Sequence, residues 1–130
     1  MRSKEQERVS IAYEFVESVK NKEIEEKYAS LVKKLPAMIV HNGLLATLAF
    51  LKAKSNNGKE NEHSLLLKHI LEYLKKANHL KDSKYDSFIQ LVNTESFTTE
   101  RYLHITREVL NFAVWLKRIA EGELKDDEQV

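Results

Sequence analysis

The chain has 130 residues, with 21 Lys or Arg against 20 Asp or Glu and 42% apolar residues. That balance describes one folded domain with a small core and excludes a disordered or membrane-embedded polymer. There is no cysteine, which excludes a disulfide framework, a thiolate metal site and a cysteine nucleophile.

Only three Gly and one Pro interrupt a sequence rich in Leu, Ala, Lys and Glu, so an all-α fold is expected. The first helix runs from about Lys4 to Lys20, with Val9, Ala12, Val16 and Val19 on one face. A shorter second helix covers Ile24 to Lys34 and turns Ile24, Tyr28, Leu31 and Val32 inward. Pro36 fits the first position of a third helix, where its missing N–H has no intrahelical partner to lose. That helix ends before the turn residues of "SNNGKEN". A fourth helix follows from about Glu62 to Ala77, and a short fifth from Tyr85 to Val92. The sixth and longest is capped by Thr98 or Thr99, carries Glu100 in its first turn and stops at Gly122. The expected architecture is a compact bundle of about six helices in one domain, 1–122, followed by an acidic tail, 123–130, that frays.

On a helical wheel, the third helix has two apolar faces. Ala37, Val40, Leu44, Leu48 and Leu51 fall on one stripe, and Met38, Ile39, Ala46, Ala49, Phe50 and Ala53 lie nearly opposite. A helix apolar front and back belongs in the middle of a bundle. In its centre, Gly43 reads as an approach point where another helix backbone or a bulky residue comes close, and Asn42 as a buried amide tying neighbouring polar groups together. His41 shares a wet flank with Lys52, about 16 Å away along the axis, a spacing suited to successive phosphates. Thr47 and Lys54 occupy the other flank. An ordinary exposed or structural histidine is the simpler reading of His41.

The last helix turns Tyr102, Ile105, Val109, Phe112, Ala113, Leu116 and Ala120 inward. Trp115 lies off that face, beside His104, Glu108 and Asn111, with Arg107 and Arg118 bordering the strip. Three roles fit the indole: a cap over the core, a contact with a partner protein, or a stack on a nucleobase. Lys117 and Arg118 are candidate phosphate contacts, although basic residues also favour a helix C-terminus.

Charge is unevenly distributed. Lys33 to Lys81 holds nine lysines against three acids, whereas Asp82 to Val130 has six basic and ten acidic residues. If the fold keeps these segments apart, a nearly neutral protein presents one basic and one acidic surface. No catalytic constellation accompanies them. There is no HExxH motif, no Gly-rich phosphate loop and no nucleophile elbow, and Glu100 with His104 is a single helical pair. His41, His63, His69, His79 and His104 are dispersed. These readings predict no enzyme, no metal and no cofactor. The longest apolar run is far short of the roughly 20 residues that span a bilayer. The stretch after "MRSKEQERVS" is amphipathic rather than a secretory core, so a cytoplasmic protein is expected.

"LPAMIVHNGLLATLAFLKAK" and "ITREVLNFAVWLKRIAEG" carry a resemblance. Leu35-Pro36, Asn42-Gly43-Leu44, Ala49-Phe50-Leu51 and Trp115-Leu116-Lys117-Arg118, with the early "AYEFV", make the chain resemble the small subunit of the type III-B CRISPR RNA-guided interference complex, the Cmr complex. The resemblance spans nearly the whole chain and is weakest between Ser55 and Asn93. It implies a helical, non-catalytic protein of antiviral defence whose copies stack as an inner filament beside the subunits that hold the guide RNA. The implied partners are other subunits of the complex, neighbouring copies of this chain, and guide and target RNA touched along the backbone; no membrane is involved. Carried onto this sequence, the contact surface draws on His41, Lys52, Lys54, Arg107, Lys117 and Arg118. Trp115 is a possible interface residue, and Asn42 and Gly43 are structural. A helical protein–protein adaptor without RNA contact is the alternative.

Overall fold

The computed structural model describes residues 3–55 and 58–126, so Asn56, Asn57 and the last four residues of the expected tail lie outside the described residues. Among the described residues six helices follow one another: α1 (Lys4–Val19), α2 (Glu25–Asn42), α3 (Leu44–Lys54), α4 (Glu62–Lys76), α5 (Tyr85–Val92) and α6 (Thr99–Glu123). The all-α six-helix bundle is as expected, and α6 is its longest element.

The starts of α1, α4 and α6 carry side-chain caps that satisfy otherwise unpaired N–H groups, whereas α2, α3 and α5 start without one. Ser3 and Gln6 form a reciprocal capping box at α1, and Asn61 and Ser64 form another at α4. The Asn61 amide also donates to the Lys54 carbonyl at 2.9 Å, tying the start of α4 to the end of α3. Thr98 caps α6 by accepting from the Arg101 N–H.

The boundary between the second and third helices differs from the sequence expectation. α2 runs straight through Pro36 and stops at Gly43. An interior proline removes one intrahelical hydrogen bond and costs about 3 kcal/mol. Tyr28, Val32, Leu35 and Ile39 nevertheless form one continuous buried stripe at helical spacing across that position, and the burial of four large side chains outweighs the loss. Gly43, with φ 86° and ψ 166°, then serves as both the C-cap of α2 and the N-cap of α3. The expected single helix, apolar front and back, is therefore two helices with different inward faces. α3 buries Leu44, Thr47, Leu48 and Leu51 and leaves Ala46, Ala49, Phe50 and Ala53 outside.

The principal interfaces are those of α6 with α1 and α2, and of α4 with α3 and α2. α4 is the most enclosed helix, burying Leu65, Leu66, Leu67, His69, Ile70, Leu71, Tyr73 and Leu74. Tyr73 stacks on Phe112 of α6 with ring centroids 4.1 Å apart, and the Phe112 ring meets Phe15 of α1 edge-on. Phe15 in turn stacks on the buried His69 at 4.2 Å. The Tyr28 hydroxyl and His69 Nδ1 share a hydrogen bond of 2.6 Å. Burial raises the Tyr28 phenol and lowers the His69 imidazolium to about 3, so the pair is a neutral donor and a neutral acceptor.

The chain end folds back on itself as far as it is described. Lys20 pairs with Glu123 at 2.8 Å, Lys33 pairs with Asp126, and the Glu25 carboxylate accepts from the Lys125 and Asn21 N–H groups. Part of the acidic charge is thus neutralised within the molecule.

Candidate nucleic-acid and subunit interface

The "HNG" triplet is a helix junction. The positive φ of Gly43 lies in a region that residues with a Cβ rarely adopt, and a Cβ built there would sit 3.3 Å from the Tyr102 hydroxyl. That hydroxyl accepts from the Leu45 N–H at 3.0 Å, and Thr47 Oγ1 donates to the Gly43 carbonyl at 2.8 Å, so both sides of the break are satisfied. Close approach at Gly43 is real, but it is a tyrosine of α6 that approaches a turn, not a second helix packing against a continuous one. Gly43→Ala should lower stability by about 1–3 kcal/mol in urea unfolding; a change below about 0.5 kcal/mol, the range of neutral surface substitutions, would contradict this role.

Asn42 is exposed, which corrects its expected burial: the break at Gly43 ends the second apolar face before it can be covered. His41 is exposed beside it. Both line an open concavity of about 690 Å³ with Met38, Ala46, Phe50 and His63. The Phe50 and His63 rings meet edge-on at 5.8 Å, and Val40 on the neighbouring turn is 63% exposed. The common flank of His41 and Lys52 does not exist, because the two residues lie on different helices. Lys52 instead holds its ammonium 5.6 Å from the Tyr85 ring centroid, over the first residue of α5. Lys54 is exposed at the last residue of α3.

The second group lies along α6. Arg107 and Arg118 are exposed, Lys117 is half-buried, and eleven residues of helix put the two arginines on nearly the same side, about 16 Å apart. The Arg118 guanidinium sits 5.4 Å from the centroid of the Trp115 ring. Trp115 is partly buried against the core, and its outer side lines a shallow concavity with Glu5, Gln6, Val9 and Ser10 of α1. The sequence-derived residues therefore form two basic groups on different elements, one at the end of α3 and one along α6.

Sequence reading missed a polar cluster between α1, α6 and the end of α4. Glu108 is buried and pairs with Arg8 at 2.6 Å, and the Lys4 ammonium lies 3.5 Å from its other oxygen. Burial alone would raise the Glu108 carboxyl, but the hydrogen bond and charge of Arg8 outweigh it and hold the group below the usual carboxylate range. His79 and His104 complete the cluster: one ligand atom from each of the two, together with one Glu108 oxygen, lie within 4.8 Å of one another. The expectation of no clustered metal-ligating side chains is corrected to that extent. His104 and Glu108, four apart on a helix, were two readable members of the three, but His79 reaches them only through the fold.

The fold is an all-α bundle with cationic side chains on outer helix faces. Residues 4–123 match the family described as CRISPR-associated protein (Cas_Cmr5). A Thermotoga maritima protein named CRISPR system Cmr subunit Cmr5 is 31% identical over 122 residues, 94% of this chain and 85% of its own length. A Thermus thermophilus protein of the same name is 29% identical over 97% of this chain and all of its own length. The crystal structure of a CRISPR-associated Cmr5 family protein from Thermus thermophilus superposes with a TM-score of 0.73 at 27% identity, covering 95% of this chain and 98% of that one. The chain belongs to the Cmr5 family and is a non-catalytic protein of the CRISPR machinery.

Proposed function

We propose that this chain is the small subunit of a type III-B effector complex, stacking head to tail with copies of itself and touching the guide and target RNA along their backbones. The observation that carries this reading is the family membership across residues 4–123, joined to exposed cations on two of the outer faces. Lys52, Lys54, Arg107, Lys117 and Arg118 supply non-sequence-specific phosphate contacts, weak singly and additive along a strand. Attachment to several subunits at once raises their effective concentration, so a poor RNA affinity of the isolated chain is compatible with the role. Head-to-tail stacking is heterologous and produces an open filament rather than a closed dimer. The pairing of Glu123 with Lys20 and of Asp126 with Lys33 leaves less acidic charge for a neighbour than composition implies.

The adaptor reading is the second choice. Val40 and Phe50 are large apolar side chains left exposed on either side of the α2–α3 junction, where a partner protein could cover them. Charge reversal separates the two readings. A complex reconstituted with Lys52→Glu and Lys54→Glu should assemble normally but protect bound target RNA several-fold less well at physiological salt. Full protection by that complex would remove α3 from the RNA face, and full protection by a matching Arg107, Lys117 and Arg118 variant as well would leave the adaptor.

A further inference from the structure

His79, His104 and Glu108 bring two imidazoles and a carboxylate together, with one ligand atom of each within 4.8 Å of the others. His104 and Glu108 are four apart on α6, so both project from one face over consecutive turns, and His104 Nε2 is 3.9 Å from Glu108 Oε1. The third residue is held by the end of α4. Asn78 takes a left-handed φ of 65°, its N–H bonds the Lys75 carbonyl, and the His79 N–H bonds the Leu74 carbonyl at 2.8 Å. This is the Schellman arrangement, and it fixes the His79 backbone beside α6. The His79 and His104 rings are 5.7 Å apart between centroids.

Glu108 divides its two oxygens between different tasks. Oε2 accepts from Arg8 at 2.6 Å, which orients the carboxylate as an outer-shell partner does at metal centres, and Oε1 faces His104. Lys4 contacts Oε1 at 3.5 Å, but its side chain is 75% exposed and is free to swing into solvent. The His104 side chain is 55% exposed, so an ion can reach the cluster from solvent.

We infer that His79, His104 and Glu108 Oε1 bind one Zn²⁺ ion, with water in the fourth position. A tetrahedral ion with ligands at about 2.0–2.1 Å needs donor atoms about 3.3 Å apart. The half-exposed His104 ring closes the remaining gap by rotation. Two imidazoles and one carboxylate oxygen suit a borderline dication and not Mg²⁺ or Ca²⁺, which take oxygen ligands. The ion would clasp the end of α4 to α6 beside the Arg8–Glu108 pair.

The test uses the full chain without a polyhistidine tag. Co²⁺ titration should give the visible absorption of a tetrahedral site, displaced by Zn²⁺, and calorimetry should give one Zn²⁺ per chain. His79→Ala and His104→Ala should each weaken Zn²⁺ binding at least tenfold and remove the Zn²⁺-induced rise in melting temperature, with far-UV circular dichroism confirming the fold. His63→Ala should change neither. The inference is overturned by no binding to the parent chain, by unchanged binding in the His79 and His104 variants, or by loss of binding in the His63 variant.

Discussion

Replacing Glu108 by alanine should lower the unfolding free energy by about 3 kcal/mol, because it leaves the guanidinium of Arg8 in a largely dry interface without its counter-charge. The side chains of Arg8 and Glu108 are only 14% and 9% exposed, and they join α1 to α6 across one hundred residues of sequence. Arg8 Nε already lacks a hydrogen-bond partner among the described residues, so the carboxylate is the group that makes its burial tolerable. Removing both charges is a different experiment. A double variant, Arg8→Met with Glu108→Leu, fills the space with apolar atoms and should recover most of the loss, since a buried pair owes much of its value to the penalty of breaking it. The full cycle should give a coupling energy above about 1 kcal/mol. A single-variant loss below about 1 kcal/mol would place the pair with exposed salt bridges instead.

The second large effect is a dependence of stability on pH between about 7 and 5. His69 is neutral in the fold because burial, aided by the charges of Lys68 and Lys22, depresses it to about 3 from an ordinary 6.5. Between those values the unfolded chain binds the proton and the folded chain does not. Stability therefore rises with pH, is fully present above about 6.5, and is lost as pH falls toward the folded value. The loss from pH 7 to pH 5 should be about 2 kcal/mol from this one residue. His79, which burial also lowers, acts in the same direction. The depressed carboxyls of Glu25, Asp82 and Glu108 act the same way but only below their ordinary range near 4. A His69→Gln variant keeps an acceptor for the Tyr28 hydroxyl and removes the titration. Urea midpoints at the two pH values should fall markedly for the parent chain and much less for the variant; equal falls would contradict the assignment.

Fold class and most helix ends were legible in the sequence because they depend on local signals. Apolar spacing located α1, α4, α5 and α6, and the Thr98 cap and the inward stripe of α6 from Ile105 to Ala120 are found where local rules put them. The stretch around Pro36 and Gly43 was misread for a physical reason. Pro36 is a local start signal, and only the tertiary burial of Leu35 and Ile39 on either side carries the helix through it. Gly43 looked like an interior residue because the apolar pattern continues past it, and no local cue distinguishes a positive-φ glycine from a packing one. Once that boundary moves, Asn42 leaves the core and His41 loses its alignment with Lys52. The candidate residues could be picked out as cations, but only the fold decides which of them share a face and that Lys117 is half-buried. The His79, His104 and Glu108 cluster shows the same limit from the other side: its third member lies 25 residues from the nearest of the other two and is brought in by a helix cap.

On the proposed function, the basic residues touch RNA in two groups. Lys52 and Lys54 end α3, while Arg107, Lys117 and Arg118 belong to α6. Contact of these groups with RNA is the central claim, and photo-crosslinking inside the assembled complex tests it most directly. With thiouridine placed along the guide and target strands, mass spectrometry of the digested complex should find RNA joined to peptides of this chain that carry Lys52 to Lys54 or Arg107 to Arg118. Efficient crosslinks to the neighbouring subunits with none to this chain would contradict it.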